Sequence, residues 1–175
     1  MNEQSLTKWR GRAIKRMEHS RQTMLSFLAR LPEQEIVRSR DQGEWSVKDV
    51  LAHCVAWEAE ATRRLQLVAR GQGQRIHYYD DMREADRFNA NAVRKARARG
   101  FSALVREAAR VRQRLIKSLR RLPPRALQDP THRFPVVAWL PEFAWIHEQA
   151  HLKEMRAWWS AQKPVWKPGS GVKRS

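Results

Sequence analysis

The 175-residue chain has a single cysteine, Cys54, and no long apolar run. One cysteine cannot form an internal disulfide, so we expect a reducing compartment, the cytoplasm. No apolar stretch approaches the roughly 18 residues that cross a bilayer. The first residues also lack the charged-then-apolar order of a signal peptide. We therefore expect no membrane partner.

Several enzyme signatures are missing as well. No stretch shows the period-2 alternation of a β-strand. The segment RGQGQR is not a phosphate loop, because it lacks a preceding strand and a following Lys-Ser/Thr pair. No Ser-His-Asp or Cys-His set stands out, since Cys54 falls inside an apolar helix. There a small core residue is a better interpretation of Cys54 than a metal ligand.

Acidic residues are scarce beside basic ones. The chain has 35 Lys and Arg residues against 18 Asp and Glu, a net charge of +17. A field of that sign attracts nucleic acid or other acidic partners. Between Arg94 and Arg125 the only acid is Glu107. Five basic residues there share the face opposite the apolar stripe: Arg106, Arg110, Arg114, Lys117 and Arg121.

Two interpretations of this basic helix stay open. It is either a solvated face or a surface that binds nucleic acid through its phosphates. The one aromatic residue nearby, Phe101, belongs to the apolar stripe, so bases would find no ring to stack on. Any nucleic-acid binding should therefore be non-specific and weakened by salt.

Four helical stretches are readable from apolar residues at helical spacing. We predict helices at about 7–30, from Ser46 to about 70, from Glu84 to Leu122 with a pause at Gly100, and from Pro141 to about 159. Ser46 with Asp49 forms a capping-box variant. The predicted fold is an all-α, antiparallel four-helix bundle with long inter-helix connections, over residues 1–160. Residues 161–175 are basic and rich in Pro, Gly and Ser, which predicts a disordered tail.

The segment HEQAH carries the H-E-x-x-H pattern of zinc proteases. His147 and His151 lie about 40° apart around a helix and can share one cation. A zincin protease also needs a third ligand downstream and a sheet that holds the peptide. No Asp, Glu or His follows Glu154, and no strand pattern appears. We therefore exclude a zincin protease.

A third ligand is available upstream in His53. This residue lies within the apolar helix segment DVLAHCVAWE and should point inward. If His53 were the only such residue, a buried histidine that is hydrogen-bonded to another side chain would explain it. Because the chain also contains the separate pair His147 and His151, metal binding is the better interpretation. Three histidines with an open fourth position are typical of catalytic rather than structural zinc sites.

The segment GEWSVKDVLAHCVAWE, followed much later by HEQAHLKEMRAW, resembles the DinB/YfiT-like superfamily of metal-binding four-helix bundles. The resemblance implies that His53, His147 and His151 bind a divalent ion of the zinc, nickel or iron type. It also implies a metal-dependent hydrolase or a thiol (S-)transferase acting on a small electrophilic substrate. A transferase would use a low-molecular-weight thiol as co-substrate. Members of the superfamily often form homodimers.

Further residues are candidates for the site. Glu148 would be the general base in a protease, but in a bundle it is equally a surface partner for an arginine. Trp57, one turn from His53, is expected to line the pocket, with Asn89 and Tyr78 at its mouth. The alternative function is a non-enzymatic binding protein, in which the histidine cluster is structural and the basic helix binds nucleic acid.

Overall fold

The computed structural model describes residues 1–162. It contains seven α-helices: α1 (Glu3–Leu28), α2 (Glu33–Val37), α3 (Val47–Ala69), α4 (Met82–Arg97), α5 (Phe101–Arg121), α6 (Val136–Phe143) and α7 (Trp145–Gln162). Two short 3-10 helices, Gly73–Arg75 and Pro124–Gln128, lie in the connections. No strand occurs within residues 1–162, and the predicted all-α class is confirmed. Most of the predicted tail, residues 163–175, lies outside the described residues.

The four long helices form the bundle. Helix α1 packs against α5 and α7, and helix α3 packs against the same two partners. Two apolar clusters fill the interior, one including Met17, Leu65 and Leu115 and the other including Met24 and Val111. The short helix α2 packs on α3, and α6 packs on α3 and α7. This arrangement places α3 and α7 side by side, which positions the candidate site between them.

Local signals explain where the helices begin. The Ser46 hydroxyl accepts a hydrogen bond from the Asp49 amide at 3.0 Å, and the Asp49 carboxylate accepts one from the Ser46 amide at 3.2 Å. This reciprocal pair is the predicted capping box, and it satisfies two amides that the first turn would otherwise leave free. At α1, the Asn2 side chain accepts a hydrogen bond from the Ser5 amide at 2.9 Å.

The predicted pause at Gly100 is a complete break, and one predicted helix boundary was wrong. Gly100 adopts an extended conformation (ψ 149°) and becomes the N-cap of α5, so the stretch from Glu84 to Leu122 forms two helices. The last long helix does not begin at Pro141, which lies inside α6. There the proline lacks the amide proton for an intrahelical bond. Helix α6 ends at Phe143, Ala144 leaves helical geometry (ψ −97°), and α7 begins at Trp145.

No helix within residues 1–162 is both long and apolar enough to cross a membrane.

Candidate metal centre

Helices α3 and α7 bring three imidazoles together between them. The Nε2 atom of His147 lies 2.8 Å from Nε2 of His53 and 3.0 Å from Nε2 of His151. One ligand atom from each of the three histidines lies within 4.8 Å of the others. At a zinc–nitrogen distance of about 2.1 Å, three nitrogens around one ion lie roughly 3.0–3.4 Å apart. The three side chains therefore fit a single divalent ion.

Burial keeps two of these imidazoles neutral. Desolvation, reinforced by His147 and His151, lowers the pKa of His53 from 6.5 to about 3. Desolvation and the neighbouring His151 lower the pKa of His147 to about 4. A neutral imidazole offers the lone pair that a metal requires, whereas a protonated one does not. Both side chains are therefore in the metal-binding form at neutral pH.

The Nδ1 atoms of His151 and His53, which lie on the ring side away from the metal position, have different surroundings. Nδ1 of His151 lies 3.1 Å from a carboxylate oxygen of Glu154, a contact that can orient the ring. Nδ1 of His53 is buried and has no hydrogen-bond partner within residues 1–162. Glu154 therefore lies behind the ligand residue His151 and is not one of the three side chains that converge on the metal position.

Aromatic rings surround the histidines. Trp45 packs on the His53 ring with 4.9 Å between centroids, and Trp57 approaches the same ring edge-on at 6.4 Å. The Trp57 indole NH donates a 2.9 Å hydrogen bond to the Asn89 side-chain oxygen. Tyr79 and Phe88 pack against Trp57, at 5.2 and 4.6 Å between centroids. Helix α4, which carries Phe88 and Asn89, thus holds Trp57 beside the site.

A cavity of about 250 Å³ opens next to His147, and its other lining residues are Trp57, Glu142 and Phe143. Tyr78 is not among the lining residues, and its ring lies against Arg64 and Phe134. The sequence did not predict Glu142 and Phe143 as lining residues. They lie on α6, and the spacing of the histidine pair does not show where that helix packs.

Glu148 lies in the bundle interior rather than on its surface. Its side chain is 1% exposed, and its two carboxylate oxygens contact Arg21 at 2.5 Å, Ser20 at 2.6 Å and Arg112 at 2.8 Å. The same two arginines bind Glu58 on α3. Burial alone would raise the pKa of Glu148, but the two guanidiniums and the Ser20 hydroxyl together hold it below its ordinary value.

This buried cluster joins all four long helices. Arg21 and Ser20 stand on α1, Glu58 on α3, Arg112 on α5 and Glu148 on α7. On every helix these positions fall between members of the two apolar clusters, so the cluster forms a polar layer that divides the core. No pattern in the sequence predicted this polar layer. Arg21 and Arg112 sit in basic helices where arginine normally faces water, and their partners are distant in the chain.

Other polar side chains turn away from the histidines. Asp49 pairs with Arg97 at 2.9 Å and caps α3. Cys54 is buried, and desolvation raises the pKa of its thiol. It is not one of the three side chains that converge on the metal position.

All five residues of the predicted basic face on α5 are exposed. None of them forms an ion pair with another described residue. The face therefore carries five uncompensated charges: Arg106, Arg110, Arg114, Lys117 and Arg121.

The model of the DinB superfamily matches residues 16–155 of the chain. The chain belongs to the DinB superfamily. The match includes His53, His147 and His151, and it covers all of α3 and the part of α7 up to residue 155. No curated protein and no solved structure gives a significant match. Membership in a superfamily whose members generally bind metal agrees with the histidine cluster, and it does not specify a reaction.

Proposed function

We propose that this DinB-superfamily protein binds one divalent metal ion through His53, His147 and His151, and that it is a hydrolase acting on a small electrophilic substrate. The supporting observation is the convergence of three Nε2 atoms at the edge of a cavity that His147 itself lines. Three protein ligands leave a coordination position open, which is typical of catalytic sites. Residues 1–162 contain no β-sheet whose edge strand could bind a peptide, so we do not propose a protease.

Residues around the histidines would orient the ligand rings and exclude water from the cavity. Trp45 and Trp57 pack on His53, and Glu154 contacts the outer nitrogen of His151. Trp57 and Phe143 line the cavity. A divalent ion bound by these histidines would act as a Lewis acid that lowers the pKa of a bound water or thiol towards neutrality. A substrate in the cavity would lie against His147, the one of the three histidines that lines it.

Zinc, nickel and iron all accept imidazole ligands, so the donor set does not select among them. A thiol transferase is the second enzymatic proposal, with a low-molecular-weight thiol replacing water. The two reactions differ in whether the product contains the thiol.

The experiment is an activity screen of metal-loaded protein. Protein loaded with zinc, nickel or Fe(II) is incubated with small esters, amides and lactones, with and without glutathione, bacillithiol or mycothiol, and products are identified by mass spectrometry. We expect metal-dependent hydrolysis that His53→Ala abolishes. His19→Ala, which removes an exposed histidine from α1, should retain full activity. Equal turnover by chelated protein would contradict the proposal.

A non-enzymatic, nucleic-acid-binding role is the candidate from a different class. The observation that favours it is the exposed, unpaired basic face of α5, described above. If all five cations contact phosphates, the logarithm of affinity for random-sequence duplex DNA should fall with the logarithm of salt concentration with a slope of about −4.5. Replacing Arg110 and Arg114 by Gln should reduce that slope by about 2. No binding at about 50 mM salt would remove this candidate.

We also propose a cytoplasmic location, because the chain has a single, buried cysteine, and cell fractionation tests it. A homodimer is proposed from the resemblance to the superfamily, and analytical ultracentrifugation tests it.

A further inference from the structure

The cavity beside His147 is small and has an aromatic wall. Its volume is about 250 Å³, below the 300–1,000 Å³ of pockets that enclose drug-sized ligands. The rings of Trp57 and Phe143 meet edge-to-face with 5.1 Å between centroids. Trp57 is held from behind by Phe88 and by its hydrogen bond to Asn89. A ligand here must be compact, and it gains most by presenting an apolar or aromatic body to these rings.

The acidic side chain that lines this cavity has the opposite sign to the net charge of the protein, although the buried Arg64 guanidinium lies 4.2 Å from the centroid of the Phe143 ring. Glu142 is the charged side chain among the lining residues, which include no lysine or arginine. The Glu142 side chain is exposed, and its carboxylate makes no hydrogen bond or ion pair with another residue of 1–162. The chain carries 35 basic against 18 acidic residues, so a free carboxylate here is conspicuous. Aromatic faces likewise attract cations and give nothing to anions.

We propose that this cavity selects a small molecule with one positive charge and an apolar or aromatic body. The cation would lie beside Glu142, the body against Trp57 and Phe143, and the reacting end towards His147. This inference rests on the proposed function and narrows its substrate class. It also favours hydrolysis over thiol transfer, because the carboxylates of an anionic tripeptide thiol such as glutathione would meet Glu142 and no lysine or arginine in the lining.

The test compares three probes that share a phenyl ring and differ in charge: phenethylamine, 2-phenylethanol and phenylacetate. Binding to zinc-loaded and metal-free protein is measured by calorimetry at neutral pH. Phenylacetate is compared only on metal-free protein, because its carboxylate can bind zinc directly. We expect the amine to bind about two- to fivefold more tightly than the alcohol, the range for one exposed charge pair. Phenylacetate should bind most weakly.

Matched variants assign the effect to the cavity. Glu142→Gln should bring the amine-to-alcohol ratio close to one, and Glu142→Lys should reverse the preference towards phenylacetate. Glu33→Gln removes the same charge from exposed α2 and should leave the ratio unchanged. Phe143→Ala should weaken the amine and the alcohol alike, by roughly fivefold.

Two results would overturn the inference: an alcohol that binds as tightly as the amine, or a preference for the amine that survives in Glu142→Gln. Failure of the proposed metal function is separate. Zinc content is measured on the same samples, and the Trp57–Phe143 wall and Glu142 do not depend on the ion. A protein that takes up no zinc when zinc is supplied, and that still prefers the amine, would refute the metal proposal and support this one. A zinc-loaded protein without the preference would do the reverse.

Discussion

Replacing Arg112 by methionine tests the buried polar layer most sharply. Arg112 is 4% exposed, and methionine preserves much of its length while removing its charge. The guanidinium donates to Glu58 through two nitrogens, to Glu148 at 2.8 Å, to the Met17 carbonyl and to the Ser20 hydroxyl at 3.4 Å. After the substitution, Arg21 alone would face both carboxyl groups.

The expected cost follows from that imbalance. Removing one partner from a buried ion pair leaves an uncompensated charge and costs about 3–5 kcal/mol. The total stability of a domain of this kind is about 5–15 kcal/mol. Arg112→Met should therefore lower the free energy of unfolding by a large part of its wild-type value. The loss should grow as the pH rises from 5 to 8, because high pH keeps both carboxyl groups ionised.

Urea unfolding of metal-free protein, followed by circular dichroism, measures this cost. Arg114→Met is the matched control, because Arg114 is exposed two residues further along α5. It should change stability by no more than about 0.5 kcal/mol. The double variant Arg112→Met/Glu148→Met leaves a balanced Arg21–Glu58 pair. Its free energy of unfolding should be at least about 1 kcal/mol higher than the value obtained by adding the separate losses of Arg112→Met and Glu148→Met. A loss below about 1 kcal/mol in Arg112→Met, or strict additivity, would refute the reasoning.

Three further predictions concern single groups. Cys54 is 1% exposed and burial raises its thiol pKa, so a thiol reagent at pH 8 should modify it only after urea is added. His53 and His147 have folded pKa values of about 3 and 4 against an ordinary 6.5. The unfolded chain therefore takes up protons first, and metal-free protein should lose stability progressively as pH falls from 6.5 towards 4. Asp49→Ala removes both the α3 capping box and the Arg97 pair, and urea unfolding should show a loss of about 1–2 kcal/mol.

The helices and the histidine set were predictable because their signals are local. Helical spacing of apolar residues, the Ser46–Asp49 cap and the four-residue step from His147 to His151 each lie within a few turns of chain. His53 could be added because it is a polar residue inside an apolar helix segment, where it needs a partner.

The remaining features depend on contacts between distant segments. Arg21 resembles a surface arginine until Glu58 and Glu148 are placed beside it by other helices. The sequence indicated a pause at Gly100, but the extended backbone that makes it a complete break between α4 and α5 is visible only in the structure. Glu142 reaches the cavity only because α6 ends at Phe143 and the chain changes direction at Ala144.

The most direct test of the account is the metal content and metal affinity of protein purified without a histidine tag. Inductively coupled plasma mass spectrometry counts the ions per chain, and a competition titration with a chromophoric chelator gives the affinity. The account predicts close to one divalent ion per chain in the wild type and in His19→Ala, and almost none in His53→Ala or His147→Ala. A metal-free wild type that cannot be loaded, or a His53→Ala variant that binds the ion as tightly, would contradict it.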